Sequence, residues 1–570
     1  MSNANLERMK KSIQIILLTA ILLLINGAFS SVYWIVDLTE EKRFTLTPET
    51  ITILNEIEEV VYVEVLLEGS FPAGFKKLQR ATQELLQSFN GVNRLIEYKF
   101  TDPNLGSLEE VNNTRKILAE EGIQPTNLIV KDREGRSEKL TYPFAKIYYK
   151  GRVGVVNLLD NKVPGMPQEV VLNNSASLLE YKFIDAISKL EYTSKRPILI
   201  TTGHGEPGVT LTADLEKTLR NDFNTGRINL DSIPVIPQEV ELLMIIKPTE
   251  RFSEKDKFKI DQYVMGGGKV LWMIDLLGVS LDSLRSQEEF FPLPYNLDLD
   301  DLWFRYGIRM QPNLVLDLQS TSIPLAVGFL GNAPQFEYFK YPYHLVSVPR
   351  INHPIVKSLG PINFRYAATI DTSVKTKTPI DKTVLLTSSD KSLVQYPPLG
   401  MNFDFLRYEP DPSRFDKGAQ SLVVLYEGIF PSLYENRVSP DMLIGLESLG
   451  LTFKTQSVPN KMMIISDGDM AINSFDPRDN AIGELGYNEY ERYLFSNKDF
   501  LLNAINYLID DTGIIAAKSK EIKLRLLNQS KATEEAVFWQ VLNILGPIGL
   551  MLSLFGVHRW MRRRKYAKYG

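Results

Sequence analysis

The chain is 570 residues long, room for two or more domains, and its hydrophobic share of 44% and charged share of 23% are those of a globular protein, not a disordered or collagen-like one. A formal net charge of −5, with the basic residues scattered rather than striped, gives no footing for nucleic acid. The absence of cysteine excludes disulfides, thiolate metal sites and cysteine nucleophiles together.

The two ends read as membrane segments. Residues 13–36 form an uninterrupted uncharged run of about 24 residues, enough to span roughly 30 Å of hydrocarbon. Arg8, Lys10 and Lys11 precede it. Residues 537–557 form a second run of about 21 residues, broken only by Gly546-Pro547 and Gly549, which spans tolerate. Arg559, Arg562, Arg563, Arg564, Lys565 and Lys568 follow it, and Trp34, Trp539 and Trp560 lie where interfacial anchors do. Because both basic clusters are terminal, both termini (residues 1–12 and the tail 558–570) are expected in the cytoplasm of an inner membrane. The bulk of the chain is then periplasmic in a Gram-negative cell. A cleaved signal peptide is the other reading of residues 13–36. Their apolar core is too long for that, and Ala28-Phe29-Ser30 is a poor cleavage site. The basic tail fits a topology determinant and a docking segment equally.

Between the spans the pattern is α/β. Thr47-Pro48-Glu49 opens a helix as N-cap, first-turn proline and dipole-matched acid. A strand at 60–67, a helix at 76–89 ending at Asn90-Gly91, and a strand at 95–100 follow as β-α-β. Strands at 127–130, 139–145 and 147–156 read as antiparallel additions, and 176–190 as a helix. Residues 37–192 are therefore expected to form a small thioredoxin-like α/β domain, without the Cys-x-x-Cys of thiol redox chemistry.

Residues 193–515 are expected to form a larger, doubly wound α/β domain. The apolar runs at 197–202, 242–246 and 270–274 alternate with helical patterns at 211–223 and 253–265, the latter stopped by Gly266-Gly267-Gly268. A helix at 299–306, strands at 314–317, 384–387, 422–426 and 462–466, and a helix at 497–509 complete it. The Pro-, Tyr- and Phe-rich stretch 318–416 reads as an elaboration of strands and loops. Charged residues 516–536 form a juxtamembrane linker.

Ligands of such sheets bind beyond the carboxyl ends of the strands, where Gly203, His204, Gly205, Glu206 and Asp275 fall. Gly203-x-Gly205-x-x-Gly208 fits the dinucleotide fingerprint, with Asp231 at a suitable distance. However, Pro207 removes an amide donor, Glu206 would face the phosphates, and the helical pattern starts only near Thr210–Thr212. Nucleotide binding is not expected. His204 and Glu206 suit general acid–base work or half a metal site. The favoured reading is a structural turn in which Glu206 caps the following helix and His204 bonds neighbouring backbone. No Walker loop, His-Glu-x-x-His or Gly-x-Ser-x-Gly is present, and neither catalytic residues, cofactor nor metal is expected. The paired carboxylates Asp300-Asp301 and Asp510-Asp511 read as solvated.

Arg43-Phe44-Thr45-Leu46-Thr47, Thr202-Gly203-His204-Gly205-Glu206, Gly266-Gly267-Gly268-Lys269-Val270-Leu271-Trp272, Asn503-Ala504-Ile505-Asn506-Tyr507-Leu508 and Lys520-Glu521-Ile522-Lys523-Leu524-Arg525 occur in this order between two spans. In this the chain resembles the GldG family of gliding-motility accessory proteins along nearly its whole length. The resemblance implies a GIFT-like central domain, similar in outline to class I amidotransferase folds but without their cysteine. It also implies partnership with a GldF-like permease and a GldA-like ATPase of an ABC transporter. The implied function is a non-catalytic accessory subunit that couples the transporter to a periplasmic protein or cell-wall ligand. Two other classes stay open: a periplasmic hydrolase or carbohydrate- or peptide-binding protein working through His204, Glu206 and Asp275, and a carbohydrate- or peptide-binding module using the aromatic stretch 335–343.

Overall fold

A computed structural model describes residues 45–519, apart from 70, 133–134, 160–166, 192–193 and 332, together with residues 535–566 and the isolated Leu17 and Thr19. The expected first span, 13–36, lies outside the described residues except for those two positions, as do Arg43, Phe44 and most of the expected linker. The chain divides into two units, Met1–Glu521 and Ile522–Gly570.

In the first unit, Thr47 caps helix α1 (Pro48–Glu56), accepting from the Thr50 N–H at 3.3 Å, and its own N–H donates to Glu180 at 2.7 Å. Strand β1 (Val61–Val65), helix α2 (Ala73–Val92) and parallel strand β2 (Ile96–Phe100) make the expected β-α-β unit. Helix α3 (Leu108–Glu120) was not foreseen. It buries only Leu118 and carries little apolar period, although its Ser107/Glu110 capping box is complete. Strands β3 (Thr126–Asp132) and β4 (Gly135–Thr141) form a separate ribbon. Strands β5 (Phe144–Tyr149) and β6 (Arg152–Asn157) extend the first sheet antiparallel, giving the order β2-β1-β5-β6. The expected strands at 139–145 and 147–156 each run across a turn: Tyr142-Pro143 breaks the first, and Lys150-Gly151, both at positive φ, breaks the second. Helix α4 (Gln168–Glu191) closes the layer, with Phe183 and Ile187 packed on Val63, Phe89 and Ile147. Each fully buried side chain of this size contributes about 1.5–3 kcal/mol of transfer free energy.

The larger sheet is built by strands β7 (Pro197–Thr202), β8 (Asn224–Asn229), β9 (Leu242–Ile246) and β10 (Lys269–Met273), with helices α5 (Ala213–Leu219) and α6 (Glu254–Met265) between them. Helices α7 (Leu281–Arg285) and α8 (Asp300–Arg305) follow, then strand β11 (Leu314–Asp317), the long hairpin β12 (Ser320–Leu330) and β13 (Ala333–Ser347), and β14 (Ile362–Asn363). Strands β15 (Ile380–Thr387), β16 (Ser392–Gln395) and β17 (Ser421–Gly428), helix α9 (Pro440–Ser448), strand β18 (Asn460–Ile465) and helix α10 (Asn497–Ile509) complete the domain. The order is β15-β17-β18-β10-β9-β7-β8. Five neighbouring strands are parallel; at one edge β17 runs against them, and β15 pairs antiparallel with β17 and so points the same way as the five.

The central strands read as unbroken apolar runs because both faces are covered. Met244, Leu271, Met273 and Met463 join Leu215, Phe500 and Ile505 in one core, while Leu243, Ile245, Trp272 and Ile464 join Ile260, Tyr263 and Trp303 in the other. Strand β8 was not foreseen: as an edge strand of sequence Asn-Thr-Gly-Arg-Ile-Asn it has no apolar run to display.

After α10 the chain returns to the smaller domain. The turn Ile514–Ser519 packs on α4 and α1, and Ile514 enters the small domain's core. Asp510, read as solvated, organises this return by accepting from the N–H groups of Thr512 (2.9 Å), Gly513 (2.9 Å) and Ile515 (2.8 Å). Asp511 pairs with Lys269 at 3.1 Å, and Asp301 is 3.2 Å from Lys257.

The second unit is described as one helix, α11 (Ala536–Tyr566), longer than the apolar run read from sequence, with Pro547 inside it. Its stretch Ala536–Arg564 is the one described helix long and apolar enough to cross a membrane, and Arg564 lies 4.1 Å from the Trp560 ring centre.

Candidate functional site

Four parallel strands deliver polar residues to one edge of the larger sheet: β7 the turn at 203–208, β9 Lys247, β10 Asp275 and β18 Asp467. The turn depends on glycine. Gly203 and Gly205 have φ of 106° and 76°, and a Cβ at Gly205 would lie 2.0 Å from Thr249 Oγ1. Gly208 has nothing within 4 Å of such an atom.

The turn holds His204 inward. Its backbone oxygen accepts from the N–H groups of Thr249 (2.8 Å) and Glu250 (2.9 Å), and its ring stacks on Phe252. Nδ1 lies 3.6 Å from Glu206 Oε1, and Nε2 lies 3.4 Å from Asp256 Oδ2. Asp256 is held in turn by Ser253, whose hydroxyl donates at 2.6 Å, and by Lys259 at 2.9 Å. Glu206 does not cap the following helix. Its Oε2 accepts the N–H of His204 at 2.6 Å, and α5 begins only at Ala213. With Glu206 closed on its own turn, no helix N-terminus is presented to a phosphate there.

Burial disfavours the imidazolium, but Glu206 and Asp256 outweigh it and raise the pKa of His204. Burial works against the ionised carboxylates too. The contact with His204 nevertheless lowers Glu206, and Ser253 and Lys259 lower Asp256.

Asp275 belongs to a second cluster. Its Oδ1 accepts from the Gly468 N–H at 2.6 Å, and its Oδ2 lies 3.1 Å from Lys247 Nζ, which also bonds Asp469. Asp467 accepts from the N–H groups of Arg365 and Asp469, both at 2.7 Å. Burial pushes Asp275 up to about 6, against the pull of Lys247 and with repulsion from Asp469. Burial likewise pushes Asp467 well up. Burial opposes the charge on Lys247, but Asp275 and Asp469 raise its pKa nonetheless.

His204 and Glu206 are thus brought together, whereas Asp275 serves a neighbouring ion-pair cluster. Asp256, Lys247 and Asp469 were missed. Only Lys247 carried a usable signal, as the first residue past a buried strand, because a carboxylate in the first turn of a helix, such as Asp256, is ordinary. The clusters tie strand ends to one another, and His204 is 3% exposed. Among the described residues no group of three or more His, Asp or Glu is placed to hold a metal. Two sizeable clefts lie elsewhere. One of about 590 Å³ runs between α6 and α9, and one of about 1290 Å³ borders the β12–β13 hairpin.

Residues 40–148 match a domain of unknown function. A protein of Borreliella burgdorferi, described as uncharacterized, is 21% identical over 544 residues, 93% of each chain. Among solved structures, the mmIFT52 N-terminal domain is similar with 14% identity, covering 55% of this chain and 96% of its own, at a TM-score of 0.29. The exo-β-1,4-mannosidase Op5Man5 from Opitutaceae bacterium strain TAV5 has 12% identity, covering 66% and 49%, at a TM-score of 0.18. At such scores neither structure informs the fold. Residues 195–504, more than half of the chain, match a family described as an ABC-type uncharacterized transport system, and the protein belongs to that family.

Proposed function

We propose that the protein is a non-catalytic accessory subunit of an ABC transport system of the GldG type, acting in gliding motility with a GldF-like permease and a GldA-like ATPase. Its globular domains lie in the periplasm between two inner-membrane anchors, and they couple the transporter to a periplasmic protein or cell-wall ligand. The observation that carries the transporter role is the family match over residues 195–504. The apolar helix α11, with arginines at its end, supports membrane attachment, and the ordered GldG-like motifs support the finer assignment. The closed His204–Glu206 turn supports a scaffold rather than a catalyst. A hydrolytic or binding crevice built from His204, Glu206 and Asp275 would need the three to face one opening, and they are divided between two buried clusters.

The test is co-purification of the tagged full-length chain in detergent. A permease and a Walker-type ATPase are expected at constant ratio. A chain that purifies without either from cells expressing both would remove the reading.

A further inference from the structure

The β12–β13 hairpin divides its aromatic residues sharply. Toward its base, Tyr341 and Tyr343 are buried, and Tyr341 packs on Tyr366 and Phe403 with ring centres 6.2 Å apart in each case. Those rings are core. Toward its tip, Phe336 and Tyr338 are each 58% exposed, and among the described residues neither ring contacts another aromatic. They stand two residues apart on one face of β13, roughly 7 Å along the strand. Their cross-strand partners are Ala326 and Pro324, too small to cover them.

Both rings line the cleft of about 1290 Å³. Its other lining is mixed: beside Leu284, Leu325, Phe403 and Leu406 stand polar groups of a particular kind. Gln287 and Asn402 supply amides that both donate and accept. The charged residues are Arg285 and Arg407 against Glu288 and Asp404, two of each sign, and Arg407 is 3.1 Å from Asp404. The cleft is therefore formally neutral.

We propose that this cleft binds a neutral oligosaccharide. The flat C–H faces of successive sugar rings rest on Phe336 and Tyr338, and the hydroxyls, each donor and acceptor at once, bond the amides and the self-neutralised charges. An anionic ligand such as a phosphate or nucleic acid would find no excess of positive charge here. A purely apolar ligand would leave the amides and charges unpaired, which is costly once they are desolvated. The proposal goes beyond the transporter role and does not depend on it, since sugar binding and co-purification of transporter subunits are separate readouts.

The experiment is calorimetric titration of the full-length protein in detergent with cellohexaose, chitohexaose and maltohexaose, with oligogalacturonate as the charged control. Saturable binding of at least one neutral hexasaccharide is expected. Tyr338→Ala and Phe336→Ala, both at exposed positions, should each weaken it by about tenfold or more, the scale of a lost aromatic anchor. Tyr408→Ala, at a residue 77% exposed that does not line the cleft, should leave it unchanged. The proposal is overturned if none of the three sugars binds at millimolar concentration, if oligogalacturonate binds more tightly, or if both ring substitutions leave affinity intact. Binding of an extended peptide in place of the sugars would reassign the hairpin to strand addition and overturn it equally.

Discussion

The imidazole of His204 lies flat against the ring of Phe252, centroids 3.8 Å apart and planes 5° from parallel. With Asp256 on the far nitrogen and Glu206 on the near one, the stack pins the turn after β7 to the N-terminal end of α6. A histidine held this way is a clamp whose grip depends on its charge.

That charge makes stability pH-dependent. The folded-state pKa of His204 lies above its ordinary value, so its contribution is complete below about pH 6.5 and is lost as pH rises through the folded value. Glu206 and Asp256 lie below theirs, so their contribution is present above about pH 4 and is lost on acidification. Urea unfolding of wild type and His204→Gln should therefore differ most near about pH 6 and converge toward about pH 9. Parallel stability curves for the two proteins would show that the clamp carries no charge.

The glycines of the turn should rank by what a side chain would meet. Gly205→Val forces an unfavourable φ and a collision with Thr249, for a cost of about 1–3 kcal/mol. Gly208→Ala meets nothing and should lie within about 0.5 kcal/mol of wild type. Thermal melts of the two variants decide the matter, and equal losses would contradict the geometry.

Lys247 is the cation on which the second cluster depends. Lys247→Met keeps the stem that packs on Gly468 but leaves Asp275 and Asp469 facing each other in a buried site. Removing one partner of a buried pair costs about 3–5 kcal/mol. Because Asp275 already titrates at about 6, the loss should be largest near about pH 8 and shrink near about pH 5, where the carboxyl takes up a proton. A loss that stays constant with pH would mean that packing, not charge, holds the cluster.

How much of this could be read beforehand follows from where each residue sits. Strands β7, β9 and β10 were legible because a strand covered on both faces must be apolar throughout. Strand β8 and helix α3 were not: α3 presents most of its surface to solvent, and β8, a half-buried edge strand, needs no apolar run to hold its place. His204 and Glu206 stood out because glycines flank them. Asp256 did not, because a carboxylate in the first turn of a helix is ordinary, and only the folded chain brings it to the imidazole. The same limit separated Asp275 from the histidine: both follow parallel strands at the same end of the sheet, with β9 between them, yet Lys247 draws the aspartate into another set of partners.

The return of residues 514–519 to α1 and α4 has a mechanical meaning. The chain enters the small domain past Thr47, which is tied to Glu180 on α4, and after the larger sheet it comes back to that same helix. A pull exerted between entry and exit thus runs through α1, α4 and the final turn, a short path within the small domain. The seven-stranded sheet lies off that path, so a pull of this kind would bypass it.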